Sequence, residues 1–304
     1  MFAKILVPLD GSKLAEQALP TALKLATAVG SEIVLMRVPQ YHEVMTMASV
    51  GGEMPPIAVD GTDFAEAEAY LNDLRQLWQT NDITLSVRLG EGDPASAIVD
   101  IATDEQVDLI IMSTHGRTGL ARWAMGSVAE KVLRAAQVPV IVTRDDRPIE
   151  KMLITLDGSN LASAAIEPAM RLAQALGARV TLLRVQPYES YANRLEIDEY
   201  MRFEYGLDKS LEDLTRKRIR WYLEDVMDQY AQFGVPIQYA IVMGFAADEI
   251  LTYAEKEELD LVVMSTHGRT GLRRWVYGSV TEKVLRGAHC GVMVVRPTAE
   301  DSNT

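Results

Sequence analysis

The chemistry that this chain could perform is clearest in a glycine-bearing segment before a predicted helix. Residues 113–116 read Ser-Thr-His-Gly, and nine residues later Gly126, Ser127 and Val128 begin a segment with helical periodicity. A glycine lets the backbone approach a ligand closely. The N–H groups in the first turn of a helix donate to anions at the positive end of the helix dipole. This pattern predicts a phosphate-binding site.

Ser127 also has a structural interpretation. Together with Glu130 it matches the capping box S-x-x-E, in which a serine at the helix N-cap and a glutamate three residues later satisfy the first backbone N–H groups. The same pair recurs as Ser279 and Glu282. The two roles are compatible, because backbone N–H groups can hold a phosphate while the hydroxyl caps the helix or contacts the ligand.

Two aspartates could add a hydrogen-bond acceptor to such a site. Asp10 and Asp157 each end a predicted strand and are followed by Gly-Ser before a helix. Clusters of this kind are common at turns and helix N-caps, so a purely structural role is the alternative to ligand binding. In a doubly wound sheet the ends of the first and fourth strands flank the ligand crevice, where a carboxylate could accept hydrogen bonds from a ribose. Both roles stay open at this point.

The elements that position these residues follow from the apolar pattern of the first half. Short apolar runs predict strands and amphipathic segments predict helices. The strands fall at 5–9, 32–38, 83–89, 108–112 and 138–143, and the helices at 14–29, 64–79, 94–103 and 124–136. Runs that are apolar on both faces are typical of a parallel sheet covered on both sides. We therefore expect doubly wound α/β domains, each with a five-stranded parallel sheet in the order 3-2-1-4-5 and helices on both faces.

The chain is an internal duplication of this unit. Residues 107–134 and 259–286 align without a gap and differ at only seven of 28 positions, and residues 4–12 match residues 151–159. Near-identity over such a length establishes the repeat. The middle of each half diverges, which we interpret as loops.

The join between the copies lies in a short charged stretch that ends at Pro148. Proline cannot continue a sheet ladder, so this stretch is a natural boundary. We expect two domains, residues 1–146 and 147–304, each long enough to bury a sizeable core.

Composition excludes several classes of protein. A formal net charge of −13 and a pI near 4.9 oppose binding to nucleic acid or to an anionic membrane, so we predict neither as a partner. The lone cysteine, Cys290, cannot form an intrachain disulfide or a multi-thiolate zinc site, and its apolar neighbours predict a buried strand thiol. We see neither a leader peptide nor an apolar run of ~18 residues. The expected location is the cytoplasm.

Both halves resemble the universal stress protein family. The resemblance covers nearly the whole chain and rests on the opening K-x-L-V-P-x-D-G-S, the segment G-x-P-A-x-x-I at 92–98, and the signature H-G-R-T-G-L…G-S-V-x-E-K-V-L. The nucleotide-binding branch of this family carries G-x2-G-x9-G-[ST], and it holds ATP with these glycines, the first-strand aspartate and the end of strand two. This chain departs from that motif, since Ser113 and Ser265 stand at its first glycine.

The resemblance implies two nucleotide sites when it is carried over residue by residue. The first consists of Pro8, Leu9, Asp10, Val38, Met112, Ser113, Gly116, Gly126, Ser127 and Val128. The second consists of Thr155, Leu156, Asp157, Val185, Met264, Ser265, Gly268, Gly278, Ser279 and Val280. Thr155 replaces the proline of the first half. Aspartate at Gly126 or Gly278 is expected to abolish binding at its site and to leave the fold intact.

The function implied is that of a stress-response or signalling protein that binds ATP or another adenine nucleotide with Mg²⁺ and is not an enzyme. Two alternatives stay open: a slow ATP hydrolase or nucleotidyl transferase on this scaffold, and an interaction module without a ligand. We expect the halves to form an intramolecular pseudo-dimer through the strands at 138–143 and 290–295, because pairing covers two apolar edges. Further homodimerisation and an unknown protein partner are left open.

Overall fold

One sheet runs through the part of the chain that the computed structural model describes, residues 2–39, 62–114, 125–187, 211–266 and 278–297. Its strands are β1 (Lys4–Leu9), β2 (Glu32–Arg37), β3 (Thr84–Leu89), β4 (Leu109–Ser113), β5 (Val140–Thr143), β6 (Lys151–Thr155), β7 (Arg179–Gln186), β8 (Ile237–Met243), β9 (Leu261–Ser265) and β10 (Gly291–Val295). They lie in the order β3-β2-β1-β4-β5-β10-β9-β6-β7-β8. Each half contributes five parallel strands in the order 3-2-1-4-5, which confirms the predicted fold.

Helices cover both faces of this sheet. They are α1 (Leu19–Val29), α2 (Thr62–Trp78), α3 (Pro94–Asp104), α4 (Ser127–Ala135), α5 (Asn160–Ser163), α6 (Ile166–Leu176), α7 (Leu211–Tyr230), α8 (Ala246–Lys256) and α9 (Ser279–Gly287). One core lies under α1, α2, α6 and α7, and the other lies under α3, α4, α8 and α9. None of the helices in the described ranges is long and apolar enough to cross a membrane.

Burial on both faces explains why the strands are apolar throughout. In β1, Ile5 and Val7 point into one core while Leu6 points into the other, and all three are fully buried. Every residue of β4 is buried. A strand between two helical layers has no solvated face on which a polar side chain could alternate.

Prolines account for two differences from the predicted boundaries. The single helix expected at 14–29 is instead a 3-10 turn, Ala15–Ala18, followed by α1 with Pro20 in its first turn. A proline inside one continuous helix would lack its N–H and clash with the preceding turn, whereas the first turn tolerates it. β5 begins at Val140 and not at residue 138, because Pro139 has no N–H to donate to a ladder.

The two halves join edge to edge as the sequence predicted. β5 and β10 pair antiparallel, with Val142 opposite Val292. Arg144 Nη2 donates to the Leu285 carbonyl oxygen at the end of α9, 2.6 Å away, and Arg296 Nη1 donates to the Ala136 carbonyl oxygen just after α4, 3.1 Å away. Each half thus supplies an arginine to the last helix of the other, and pairing covers both strand edges.

Candidate functional site

A cavity of about 280 Å³ lies at the carboxyl ends of β1, β2 and β4. β1 and β4 are neighbours in the sheet, yet the helices that follow them pack on opposite faces, as α1 does on one core and α4 on the other. The chain therefore separates at this point and leaves a crevice, which is where doubly wound folds bind ligands.

Nine of the ten residues predicted for the first site line this cavity. They are Pro8, Leu9, Asp10, Val38, Met112, Ser113, Gly126, Ser127 and Val128. The tenth, Gly116, lies outside the described residues. Residues from the first, second and fourth strands and from α4 are thus brought together although they are far apart in sequence. Their role as ligand contacts stays a prediction.

Several other residues that line the cavity were not predicted from the sequence, and Arg37 is the charged one among them. Arg37 ends β2 directly before Val38, and the same dipeptide recurs as Arg184 and Val185 at the end of β7. That repetition was a signal in the sequence. Met36, Ile98 and Pro94 add apolar residues to the wall. Pro94 and Ile98 belong to the G-x-P-A-x-x-I segment and were not assigned to the site, and nothing in the local pattern marks Met36.

The N-terminus of α4 corrects the expected capping box. Gly126 is the N-cap and Ser127 is already the first helical residue, so the N-cap residue has no side chain with which to cap the helix. Glu130 bonds elsewhere, since its carboxylate accepts a hydrogen bond from Arg134 at 2.6 Å and lies 3.8 Å from Arg286. The same holds in the second half, where Gly278 is the N-cap of α9. A glycine N-cap supplies no side-chain acceptor for the first N–H groups of the helix, and such groups can donate to an anion.

The glycine before α4 occupies a confined position. Its N–H donates to the Thr114 carbonyl oxygen at 2.8 Å, and a Cβ added at Gly126 would lie 2.9 Å from that same oxygen. Since the contact is with backbone, a larger residue here must displace the β4–α4 connection. The expectation that the fold tolerates aspartate at both glycines therefore needs correction at Gly126. At Gly278 the corresponding distance is 3.9 Å, an ordinary contact.

Asp10 has the turn role that the sequence suggested, and its role as a ligand contact stays a prediction. Its Oδ1 accepts a hydrogen bond from the Ser12 N–H at 2.9 Å, and Ser12 Oγ accepts one from the Ala15 N–H at 3.1 Å. Gly11, between them, has a φ of +84°, a conformation that favours glycine. Asp10 is thus a turn residue that also lines the cavity, and the serine contacts the following helical turn.

The second half repeats this turn with a stronger cap. Asp157 Oδ1 accepts hydrogen bonds from the Ser159 N–H at 2.9 Å and from the Ser159 hydroxyl at 2.5 Å. Ser159 is the N-cap of α5, and its hydroxyl accepts from the Ala162 N–H at 3.1 Å. The cap is therefore the serine and not the aspartate.

The residues predicted for the second site lie at the corresponding strand ends. Thr155 ends β6 and precedes Leu156 and Asp157, Val185 lies near the end of β7, Met264 and Ser265 end β9, and Gly278, Ser279 and Val280 begin α9. The equivalent strand order brings these ends to one edge of the sheet. Gly268 lies outside the described residues.

A tyrosine lies against Arg37, the charged residue of the first cavity's lining that was not predicted from the sequence. The Arg37 guanidinium carbon lies 5.1 Å from the centroid of the Tyr70 ring, and the Tyr70 hydroxyl donates to Glu16 at 3.1 Å. Burial raises the pKa of the Tyr70 phenol far above its usual range, and the Glu16 carboxylate raises it further. The phenol therefore stays protonated near neutral pH and serves as a donor.

Groups for metal or thiol chemistry are sparse in the described part of the chain. No cluster of three or more His, Cys, Asp or Glu side chains there could hold a metal ion. The predicted Mg²⁺ stays a prediction. Cys290 is buried as expected, and burial raises the pKa of its thiol to about 12. A thiol so protonated is a poor nucleophile at neutral pH.

Comparison with known proteins places this geometry in a family. The model described as the universal stress protein family matches residues 1–144 and again residues 148–296. Universal stress protein MJ0531 of Methanocaldococcus jannaschii is 31% identical over 156 residues, which are 51% of this chain and 87% of that protein. Universal stress protein Slr1230 of Synechocystis is 24% identical over 311 residues, covering 96% of this chain and 99% of that protein.

A solved structure extends the likeness to the whole fold. The universal stress protein from Archaeoglobus fulgidus DSM 4304 covers 97% of this chain and 99% of its own, with a TM-score of 0.69 and 19% sequence identity. At that identity the likeness shows the fold alone. The two family matches together span almost the entire chain. The chain therefore belongs to the universal stress protein family and carries two copies of its domain in tandem.

Proposed function

We propose that this chain binds an adenine nucleotide in the cavity of its first half and acts as a nucleotide-responsive stress or signalling protein. One observation carries the proposal: nine predicted ligand residues line one cavity that ends at a helix N-terminus whose N-cap is glycine. Gly126, the N-cap of α4, has no side chain, so the backbone at that point can approach a phosphate closely.

Each wall of the cavity has a proposed role. The backbone N–H groups of Ser127 and Val128, in the first turn of α4, would hold a phosphate. Asp10 would accept a hydrogen bond from a ribose hydroxyl, and the apolar side chains of Met112 and Val38 would contact the base. Mg²⁺ would enter with the phosphates, since its usual ligands in such sites are phosphate oxygens and water.

The second half is proposed to bind a second nucleotide at the equivalent strand ends. The support is the repeated turn at Asp157 and the repeated glycine N-cap at Gly278. We propose two domains, residues 1–146 and 147–304, each with one site, and the family matches at 1–144 and 148–296 support that division.

The proposed activity is binding with little or no turnover. Of the described residues that line the cavity, Asp10 and Arg37 are the charged ones. A hydrolase needs a general base that positions water, and the Oδ1 atom of Asp10 already accepts the Ser12 N–H. We therefore expect turnover far below the ~10 per second that is typical of enzymes.

Two measurements test this proposal. Mass spectrometry of nucleotide released from the purified full-length protein identifies any ligand that co-purifies. Calorimetry and thermal unfolding with ATP, ADP, AMP and cyclic AMP, each with and without Mg²⁺, then measure binding directly. We expect heat and a raised melting temperature with at least one of these adenine nucleotides. No heat and no stabilisation with any of them at millimolar concentration would overturn the proposal.

A further inference from the structure

Arg37 is held in a fixed position at the mouth of the first cavity. Its guanidinium carbon and both terminal nitrogens lie 3.1–3.2 Å from where a Cβ would stand on Gly11, and the carbon lies 5.1 Å from the centroid of the Tyr70 ring. The guanidinium is thus held between the Gly11 turn and an aromatic ring. Such confinement makes its charge a permanent part of the cavity's surroundings.

The charges around this cavity are few enough to compare. Among the described residues that line it, one carboxylate, Asp10, faces one cation, Arg37. Within the lining their formal charges cancel, which leaves the positive end of the α4 dipole, roughly half an elementary charge. The Glu16 carboxylate lies beyond the lining and pairs with Lys13 Nζ at 2.7 Å. Without Arg37, the Asp10 charge would outweigh that dipole and the wall would repel an anion.

From this balance we propose that Arg37 selects for the phosphate charge of the ligand, so that the first site prefers nucleoside di- and triphosphates over nucleosides. The inference rests on the proposed nucleotide-binding function and adds the ligand's charge class. Coulomb interactions grow with ligand charge, whereas contacts to base and ribose do not. Arg37 therefore affects ATP more than ADP, and ADP more than adenosine.

The second half repeats the arginine beside the glycine turn. Arg184 Nη1 lies 3.1 Å from where a Cβ would stand on Gly158, and it donates to the Leu156 carbonyl oxygen at 3.4 Å. Arg37 lies opposite Leu9, the residue before Asp10, and Arg184 follows Leu183, which lies opposite Thr155. We infer the same charge-selecting role for Arg184 at the second site.

A variant series separates charge selection from simple support of the turn. Arg37→Met keeps the length of the side chain and removes its charge, and Arg37→Lys keeps the charge without the planar group. Lys24→Met, on the exposed face of α1 and outside the cavity lining, is the matched control for the loss of one positive charge. Calorimetry with ATP, ADP, AMP and adenosine gives the dissociation constant of each at both sites.

We expect Arg37→Met to weaken ATP binding at one of two sites by at least about tenfold. The affinity for ADP should fall by less, and that for adenosine should change by no more than about twofold. Arg37→Lys should recover most of the loss, and Lys24→Met should match the wild type. Arg184→Met should give the same graded loss at the other site.

Equal weakening of all four ligands by Arg37→Met, or none, would overturn the charge-selecting role while leaving nucleotide binding established. A wild-type protein that binds none of the four would instead overturn the proposed function. Thermal unfolding checks that each variant is folded. If Arg37→Met is unfolded, Arg37→Gln replaces it in the same series of binding measurements.

Discussion

The two halves of this molecule share nearly identical sequence at the helix whose N-terminus is proposed to bind the ligand. The glycine N-cap of that helix nevertheless has different contacts in each half. In the first half the N–H of Gly126 donates to the Thr114 carbonyl oxygen at 2.8 Å, and in the second half Gly278 donates to Thr266 at 3.2 Å. Inside the helix, Ala129 of the first half corresponds to Thr281, whose hydroxyl donates to the Ser265 carbonyl oxygen at 3.2 Å. A shared motif therefore does not ensure the same tolerance of substitution.

The surroundings of the two arginines differ as well. Tyr70 donates to the Glu16 carboxylate, whereas Tyr222 in the second half lies 3.2 Å from the Ser163 hydroxyl. The first half thus places an extra negative charge near its cavity mouth. The two proposed sites, which lie in duplicated halves, differ in charge and in packing, so we expect them to differ in affinity.

The largest effect should come from aspartate at the two glycines. Gly126→Asp pushes a Cβ against a backbone oxygen, and overpacking of this kind costs about 1–3 kcal/mol of unfolding free energy. Gly278→Asp meets no such contact and supplies a favourable N-cap, so its stability should stay within about 0.5 kcal/mol of the wild type. Urea unfolding of both variants measures this difference, with alanine at each position as the uncharged control.

Both substitutions should abolish nucleotide binding in their own half, because the new carboxylate occupies the phosphate position. Equal stability of the two variants would contradict the contact between Gly126 and Thr114. Retained binding in both halves would contradict the phosphate role of the helix N-terminus.

The next largest effect concerns the pH dependence of stability at the joint, the antiparallel pair of β5 and β10. Cys290 precedes β10 there, and Val138 occupies the matching position before β5. Burial raises the thiol pKa to about 12, above its unfolded value near 8.5. The folded state therefore retains a proton that the unfolded state loses as the pH rises above about 8.5. Stability should fall between that pH and about 12, at up to about 1.4 kcal/mol per unit from this group.

Urea unfolding of the wild type and of Cys290→Ala between pH 7.5 and 10 checks this slope. The variant should lose less stability than the wild type over the interval, since other groups titrate equally in both. Parallel pH profiles would show that the thiol is ionised as readily in the fold as in the unfolded chain.

The smallest effect should come from the two arginines that cross the joint. Arg144→Met removes one hydrogen bond to Leu285, but it also removes Nε and Nη1 atoms that are buried without an acceptor among the described residues. Arg296→Met removes the bond to Ala136, which is worth about 1 kcal/mol. We therefore expect Arg144→Met to cost less than Arg296→Met in unfolding free energy. The reverse order in urea unfolding would contradict the view that Arg144 is only partly satisfied.

The fold was predictable because strands buried on both faces leave a strong apolar signal. The apolar runs of each half, with helical segments between them, predicted the sheet order. The need to cover two apolar edges predicted that β5 pairs with β10, and the antiparallel direction of that pairing was not predicted. Helix starts were harder to predict. The serine of S-x-x-E lies one residue inside the helix, and a sequence pattern does not separate an N-cap from the residue after it.

The candidate site was predictable where a motif marked it and not where only the tertiary fold did. Asp10 and Gly126 stand in recognisable motifs, whereas Arg37 reaches the cavity only because β2 lies beside β1. The tight contact at Gly126 depends on a backbone oxygen 12 residues earlier, which no local pattern reveals.

The net charge also does not describe how charge is distributed over the surface. The protein carries −13, yet Arg216, Lys217, Arg218 and Arg220 are all exposed on α7. Beside them the ring of Trp221 is 59% exposed, and its centroid lies 4.6 Å from Lys217 Nζ. The exclusion of nucleic acid and anionic membrane as partners therefore stays a prediction that rests on the overall charge. The cationic segment on α7 is a local exception to that charge.

The stoichiometry of ATP binding tests the central claim most directly. Calorimetry with Mg²⁺ and ATP on the full-length wild type and on Gly278→Asp counts the sites without assuming their affinities. We predict two nucleotides per wild-type chain and one per Gly278→Asp chain, with both proteins equally stable in urea. Two nucleotides bound to Gly278→Asp, or none bound to the wild type, would contradict the account of a helix N-terminus that holds phosphate in each half.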